Sequence, residues 1–215
     1  MSKSFSALGV SDAVVRTLAE RNIHTPFAVQ ALVLEDALAG VDILAASPTG
    51  SGKTLAFGLP VIERTGASSR RPSALVLVPT RELAGQVVED LKPHAAAKGL
   101  TIAAVYGGQA LGPQAKRAKS ADILVATPGR LFDLIERNLV RLNDVRVLVL
   151  DEADRMLDMG FRPQVDRILK GVPQNRHTML FSATIDERIA DLASRYTQNA
   201  QRYDAQPSPG VTRGA

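Results

Sequence analysis

Short apolar runs recur along this chain, and segments with helical spacing separate them. Candidate strands lie at 43–46, 74–78, 101–106, 123–126, 147–150 and 178–181. Several are near-continuous Val, Leu, Ile and Ala, the composition of strands covered on both faces. Candidate helices lie between them at 53–64, 81–97, 131–137, 164–170 and 186–196. Strand–helix alternation predicts an α/β fold with a mostly parallel open sheet and helices on both faces. Ligands of such sheets bind at the carboxyl ends of the strands.

Two further helices precede the first strand. Ser11 is placed to cap one, with Val14, Val15 and Leu18 inward. Thr25-Pro26 opens the second and Gly40 closes it. Residues 1–40 thus read as a lead-in to one domain spanning 41–204. Residues 65–73 form a polar loop and 205–215 a linker or tail.

The first strand runs into Ser47-Pro48-Thr49-Gly50-Ser51-Gly52-Lys53-Thr54. Gly50 and Gly52 let backbone N–H groups approach phosphate oxygens, and the helix beginning near Lys53 adds its positive end. Lys53 supplies a charge for the β- and γ-phosphates, and the Thr54 hydroxyl suits a magnesium ion. The usual first glycine of such a loop is replaced by Ser47. The run Val147-Leu148-Val149-Leu150 delivers Asp151-Glu152-Ala153-Asp154 to the same sheet edge. Asp151 is placed to hold magnesium, and Glu152 to orient or deprotonate an attacking water. ATP and Mg2+ are the expected cofactors.

With 215 residues, 45% of them hydrophobic and 22% charged, the chain has the composition of a globular domain. A net charge of +4 permits a polyanionic partner without requiring one. The absence of cysteine excludes disulfides, thiolate metal sites and a cysteine nucleophile. His24, His94 and His177 have no metal-ligand spacing. No apolar run approaches the roughly 18 residues needed to span a bilayer, and residues 1–5 lack a signal-peptide core. A cytoplasmic location is expected. Met156 and Met159 read as core filler, and Lys116, Arg117 and Lys119 as a solvated helix face.

From Phe5 to about Tyr203 the sequence resembles the N-terminal RecA-like domain of DEAD-box RNA helicases, a P-loop NTPase branch of helicase superfamily 2. The resemblance rests on Asp151–Asp154 and on further motifs in the family's order: Pro79-Thr80-Arg81-Glu82-Leu83-Ala84, Gly107-Gly108, Thr127-Pro128-Gly129-Arg130 and Ser182-Ala183-Thr184. It implies sequence-independent RNA backbone contacts by Pro79, Thr80, Arg81, Gly107, Gly108, Thr127, Pro128, Gly129 and Arg130. It also implies that Asp154, Ser182, Ala183 and Thr184 couple hydrolysis to strand separation. Gln30, ending Pro26-Phe27-Ala28-Val29-Gln30, is implied to read the adenine edge, and Phe5 falls where the family has an aromatic. Asn22 and Ile23 stand where the family has Gly and an aromatic, so Ile23 covers the base without stacking and implies weaker nucleotide affinity.

The resemblance further implies a second RecA-like domain, absent from these residues, that supplies arginines to the γ-phosphate. The chain alone is then expected to be a monomer that binds nucleotide and hydrolyses it poorly. Gln30, Asp154 and the PTRELA and TPGR segments favour RNA over a DNA-directed superfamily 2 motor. Intact Lys53, Thr54, Asp151 and Glu152 argue against a non-motor ATP-binding module. A small-molecule kinase would need a lid and an acceptor site that no segment supplies.

Overall fold

The computed structural model describes residues 3–67 and 70–205. Seven strands, β1 (Ile43–Ala46), β2 (Ala74–Leu77), β3 (Ile102–Val105), β4 (Ile123–Ala126), β5 (Val147–Leu150), β6 (His177–Ser182) and β7 (Gln201–Asp204), form one sheet. Their spatial order is β3-β4-β2-β5-β6-β1-β7, and every pairing is parallel. The architecture is the expected RecA-like α/β fold.

The apolar runs conceal a period-2 alternation of size. Ala74, Val76, Val147 and Val149 point into one core, while Leu75, Leu77, Leu148 and Leu150 point into the other. The first core is covered by α1 (Phe5–Leu8), α2 (Asp12–Glu20), α3 (Ala28–Leu38), α4 (Lys53–Arg64) and α5 (Arg81–Ala97). The second is covered by α6 (Leu111–Ser120), α7 (Pro128–Glu136), α8 (Ala153–Asp158), α9 (Arg162–Lys170) and α10 (Glu187–Tyr196). Each enclosed Leu or Val contributes on the order of 1.5–3 kcal/mol. The first face sets these smaller β2 and β5 residues beside the bulkier Ile43, Ile123, Met179 and Phe181. There Phe57 of α4 meets Phe181 of β6 edge to face, with centroids 5.6 Å apart, and Gly58 leaves space that Leu91 of α5 fills.

Several local expectations shift. Ser11 does precede α2, but its side chain makes no cap bond; its hydroxyl donates to Glu63 Oε1 at 2.7 Å and ties α2 to α4. Helix α3 begins at Ala28, behind Phe27. A hydroxyl-bearing N-cap there would add about 1 kcal/mol that Phe27 cannot supply. Gly40, at φ +87°, adopts the left-handed conformation that stops this segment. Strand β7 was not visible as an apolar run because it is a polar edge strand, held by backbone pairing to β1. Its Tyr203 hydroxyl donates to Asp36. The Ala205 N–H still donates to Ala46 at 2.9 Å, so pairing reaches the first residue of the expected tail. Residues 206–215 lie outside the described residues. No helix among the described residues is long and apolar enough to cross a membrane.

Candidate nucleotide site and adjoining groove

The topology brings the distant motifs together. Strands β5, β6 and β1 are neighbours, so the segments leaving their carboxyl ends share one edge. The Ser47 N–H donates to the Ser182 carbonyl at 2.8 Å, and the Ser47 and Ser51 hydroxyls hydrogen-bond at 2.5 Å. Gly50 and Gly52 take φ +79° and +82°, the left-handed conformation that an L side chain resists. Gly52 is the N-cap of α4, so the helix's first N–H groups open onto the loop.

Lys53 is buried in the gap between the loop and the acidic segment. Its Nζ lies 3.1 Å from Asp151 Oδ1 and 3.4 Å from Glu152 Oε1. Asp151 is fully enclosed. Burial pushes its carboxyl up to about 6, with Lys53 acting in the opposite direction. Oδ1 also accepts the Glu152 N–H at 2.9 Å, whereas Oδ2 is buried without a hydrogen-bond partner. Glu152 is the N-cap of α8 and sits at φ +50°, a strained conformation for a non-glycine residue. Its Oε2 faces Arg155 Nη1 at 3.3 Å. Thr49, Gly50, Gly52, Lys53, Thr54 and Glu152 line a cleft of about 530 Å³, completed by Thr80, Glu82, Leu83, Gln86 and Arg155. Pro48, preceding Thr49 in the loop, is half-buried.

These observations bear on a metal. Among the described residues no three His, Cys, Asp or Glu side chains cluster as a cage. The donors present are hard oxygens: the unpartnered Asp151 Oδ2 and the Thr54 hydroxyl. That set fits magnesium, which takes one or two carboxylates and completes its shell with water and substrate phosphates.

The base end differs from expectation. Gln30 is fully enclosed. Its Oε1 accepts the Phe27 N–H at 3.0 Å and its Nε2 donates to the Gly52 carbonyl at 2.9 Å, so its amide clamps α3 to the phosphate loop. Phe5 is a core side chain, 2% exposed, and presents no ring face to a ligand. Ile23 is half-buried against the same core.

A second cleft, about 510 Å³, adjoins the first; Thr80 and Glu82 line both. It gathers Pro79, Arg81, Gly107, Thr127, Gly129 and Arg130 from segments far apart in sequence. Thr80 caps α5 by accepting the Leu83 N–H at 3.3 Å. Thr127 stands at the N-cap of α7, with Pro128 in its first turn. Gly107 is exposed, and Gly108 takes φ +82° beside the Arg81 guanidinium. Arg130 Nη1 donates to the Gln109 carbonyl at 2.9 Å. On the other flank, Thr184 Oγ1 donates to Asp154 Oδ2 at 3.4 Å. The Ser182 hydroxyl is buried without a partner, and Ala183 is exposed.

Comparison with known proteins now decides the family: the model for the DEAD/DEAH box helicase matches residues 27–192. The chain belongs to the DEAD/DEAH box helicase family. It is 44% identical over 216 residues to DEAD-box ATP-dependent RNA helicase 52A of Oryza sativa subsp. japonica, covering 91% of this chain and 36% of that protein. It is 40% identical to DEAD-box ATP-dependent RNA helicase CshA of Streptococcus pneumoniae serotype 4, covering 89% and 37%. A crystal structure of a DEAD box protein from the hyperthermophile Methanococcus jannaschii superposes with a TM-score of 0.89 at 38% identity, covering 94% of this chain and 56% of that one. The chain thus spans about a third of the length of these two helicases.

Within this DEAD-box chain, sequence reasoning missed Arg155 and Gln86, which reach the first cleft only through the orientation of α8 and α5. It also misplaced Met159. Met156 is core filler, 1% exposed, but Met159 follows the end of α8, is 48% exposed and lines the second cleft with Phe161.

Proposed function

We propose that this chain is the first RecA-like, nucleotide-binding domain of an ATP-dependent RNA helicase. The supporting observation is the approach of Lys53 to both Asp151 and Glu152 at the joined ends of β1 and β5. In this reading the N–H groups of residues 49–54 receive the phosphates, and Lys53 leaves the carboxylates to bind phosphate oxygens. Thr54 and Asp151 would hold Mg2+, which would supply charge neutralisation to the phosphates. Glu152, freed from Lys53, orients the attacking water and accepts its proton. Arg155 holds its other oxygen, fixing the carboxylate's direction. Gln30 braces the phosphate loop, and Ile23 flanks the adenine.

The second cleft is the RNA site. Backbone N–H groups at Gly107, Gly108 and Gly129, the Thr80 and Thr127 hydroxyls, and Arg81 and Arg130 match phosphate recognition without base readout. Asp154, Ser182, Ala183 and Thr184 link the two sites. The mild positive charge is compatible with RNA, and the protein works as a soluble cytoplasmic monomer. A second RecA-like domain completes the active site with arginines worth about 10³–10⁵ in rate. Residues 1–40 belong to this domain.

Calorimetry with Mg-ADP on this chain, and ATP turnover with and without RNA on a protein carrying both domains, tests the reading. Binding by the chain and RNA-stimulated turnover by the longer protein are expected. An absence of nucleotide binding, or stimulation by DNA and not RNA, overturns it.

A further inference from the structure

Phe27 stands at the base end of the phosphate loop with its ring uncovered. It is 63% exposed, and among the described residues only Leu32 and Met159 are also large, apolar and exposed. A ring this exposed gains little from burial at its own site. As the N-cap of α3 it makes no side-chain cap bond. Neither folding nor capping therefore accounts for a phenyl group here.

Its placement is nonetheless fixed. The Phe27 N–H is held by Gln30 Oε1 at 3.0 Å, and Gln30 Nε2 is held by the Gly52 carbonyl at 2.9 Å. A Cβ built on Gly52 would stand 2.6 Å from Phe27 Cδ2 and 3.0 Å from Gln30 Nε2. The ring edge, the amide and the N-cap of the phosphate-loop helix thus converge on one point, and only glycine at 52 admits the ring. The other groups expected to face a base are withdrawn: Phe5 and Gln30 are enclosed, and Ile23 has no aromatic face.

We infer that Phe27 is the aromatic platform on which the nucleotide base stacks, a base-contacting residue that raises affinity without selecting the base. This rests on the nucleotide-site reading above. Stacking accepts any base because every base presents a π-face. Discrimination between purines is left to polar groups, and the enclosed Gln30 amide already has partners on both its oxygen and its nitrogen.

The test uses Phe27→Leu and Phe27→Trp in this chain, with ADP, GDP and inorganic tripolyphosphate as probes. Loss of a base–aromatic stack corresponds to roughly a 5- to 100-fold change in Kd. Phe27→Leu should weaken ADP and GDP by such a factor and leave tripolyphosphate unchanged. The chain has no tryptophan, so Phe27→Trp creates a single reporter whose emission should be quenched by ADP and GDP but not by tripolyphosphate. Equal weakening of ADP and tripolyphosphate by Phe27→Leu would mean that the ring only props the loop, and would overturn the inference. So would unchanged ADP affinity, or a Trp signal identical for ADP and tripolyphosphate. Failure of the unaltered chain to bind ADP is a separate result, seen before any variant is made, and refutes the nucleotide site itself.

Discussion

His94 provides a test of the fold's internal electrostatics that is independent of any ligand. It lies on α5, fully enclosed, with Nδ1 2.6 Å from Thr17 Oγ1 of α2. Thr17 has one hydroxyl proton, and it is directed to the Val14 carbonyl at 2.8 Å. Nδ1 must then donate to Thr17, which leaves Nε2 as a buried lone pair with no partner. Protonation would place a buried N–H there with no protein acceptor. Desolvation, with a smaller push from the Arg21 guanidinium, lowers the pKa from 6.5 to about 4. The unfolded chain therefore binds the proton more readily than the folded one. Stability from this residue is fully present above pH 6.5 and is lost as pH falls toward 4. With those two values the loss is about 0.8 kcal/mol at pH 6 and about 2 kcal/mol at pH 5, as upper figures. His177 is shifted down by burial and adds a loss of the same sign. Asp151 is shifted up, so its protonation on acidification favours the fold and opposes them. A difference measurement removes both. His94→Asn keeps a donor near Thr17 and has no group that titrates in this range. Urea unfolding of both proteins at pH 7.5, 6 and 5 should show the native protein losing about 2 kcal/mol more than the variant by pH 5. Parallel losses would refute both the tautomer and the buried lone pair.

Other predictions follow from the site and the core. Lys53→Ala removes a charge-assisted contact worth about 1.5–3 kcal/mol, so Mg-ADP affinity by calorimetry should fall at least tenfold; an unaltered Kd removes Lys53 from phosphate binding. Glu152→Gln, in a protein carrying both RecA-like domains, should keep ATP binding and lower turnover by roughly 10²–10⁴; full turnover takes the residue out of the mechanism. Gly58→Ala places a Cβ 2.3 Å from Leu91 Cδ2, and overpacking of this kind costs about 1–3 kcal/mol. Its urea midpoint should fall and be partly restored by a second change, Leu91→Ala. An unchanged midpoint would show that α4 and α5 separate at little cost.

Much of this architecture was readable because both faces of the sheet are covered. Central strands then become unbroken apolar words such as Val147-Leu148-Val149-Leu150, which few helices imitate between polar flanks. Strand β7 escaped because it is an edge strand whose Gln201, Arg202 and Asp204 are exposed. Helix α6 buries Gln114, Ala115 and Ala118, small or polar groups that leave little hydrophobic signal. The phosphate loop was legible for a local reason: left-handed glycines followed by Lys and Thr at a helix start are specified by adjacent residues. The base end was not. Whether Gln30 faces a ligand or its own loop depends on where α3 meets α4, and whether Phe5 or Phe27 is exposed depends on which side of α3 each falls. Nothing in the neighbouring sequence determines either.

On the proposed reading, the arrangement gives the two clefts a physical connection. Thr80 and Glu82 border both, so the N-terminus of α5 is a shared wall and not an intermediary. That terminus is fixed by the buried residues Leu77 and Val78 before it and, further along the helix, by Leu91 seated over Gly58 of α4, the helix that begins at Lys53. A displacement of the phosphate loop carried by α4 therefore reaches α5 through a contact with no slack. On the other side, Ser47 bonds to the Ser182 carbonyl, and Thr184 reaches Asp154 beyond it. The two routes flank the nucleotide cleft, one through packing and one through hydrogen bonds. A perturbation of one should leave the other intact, and Gly58→Ala tests the packing route alone.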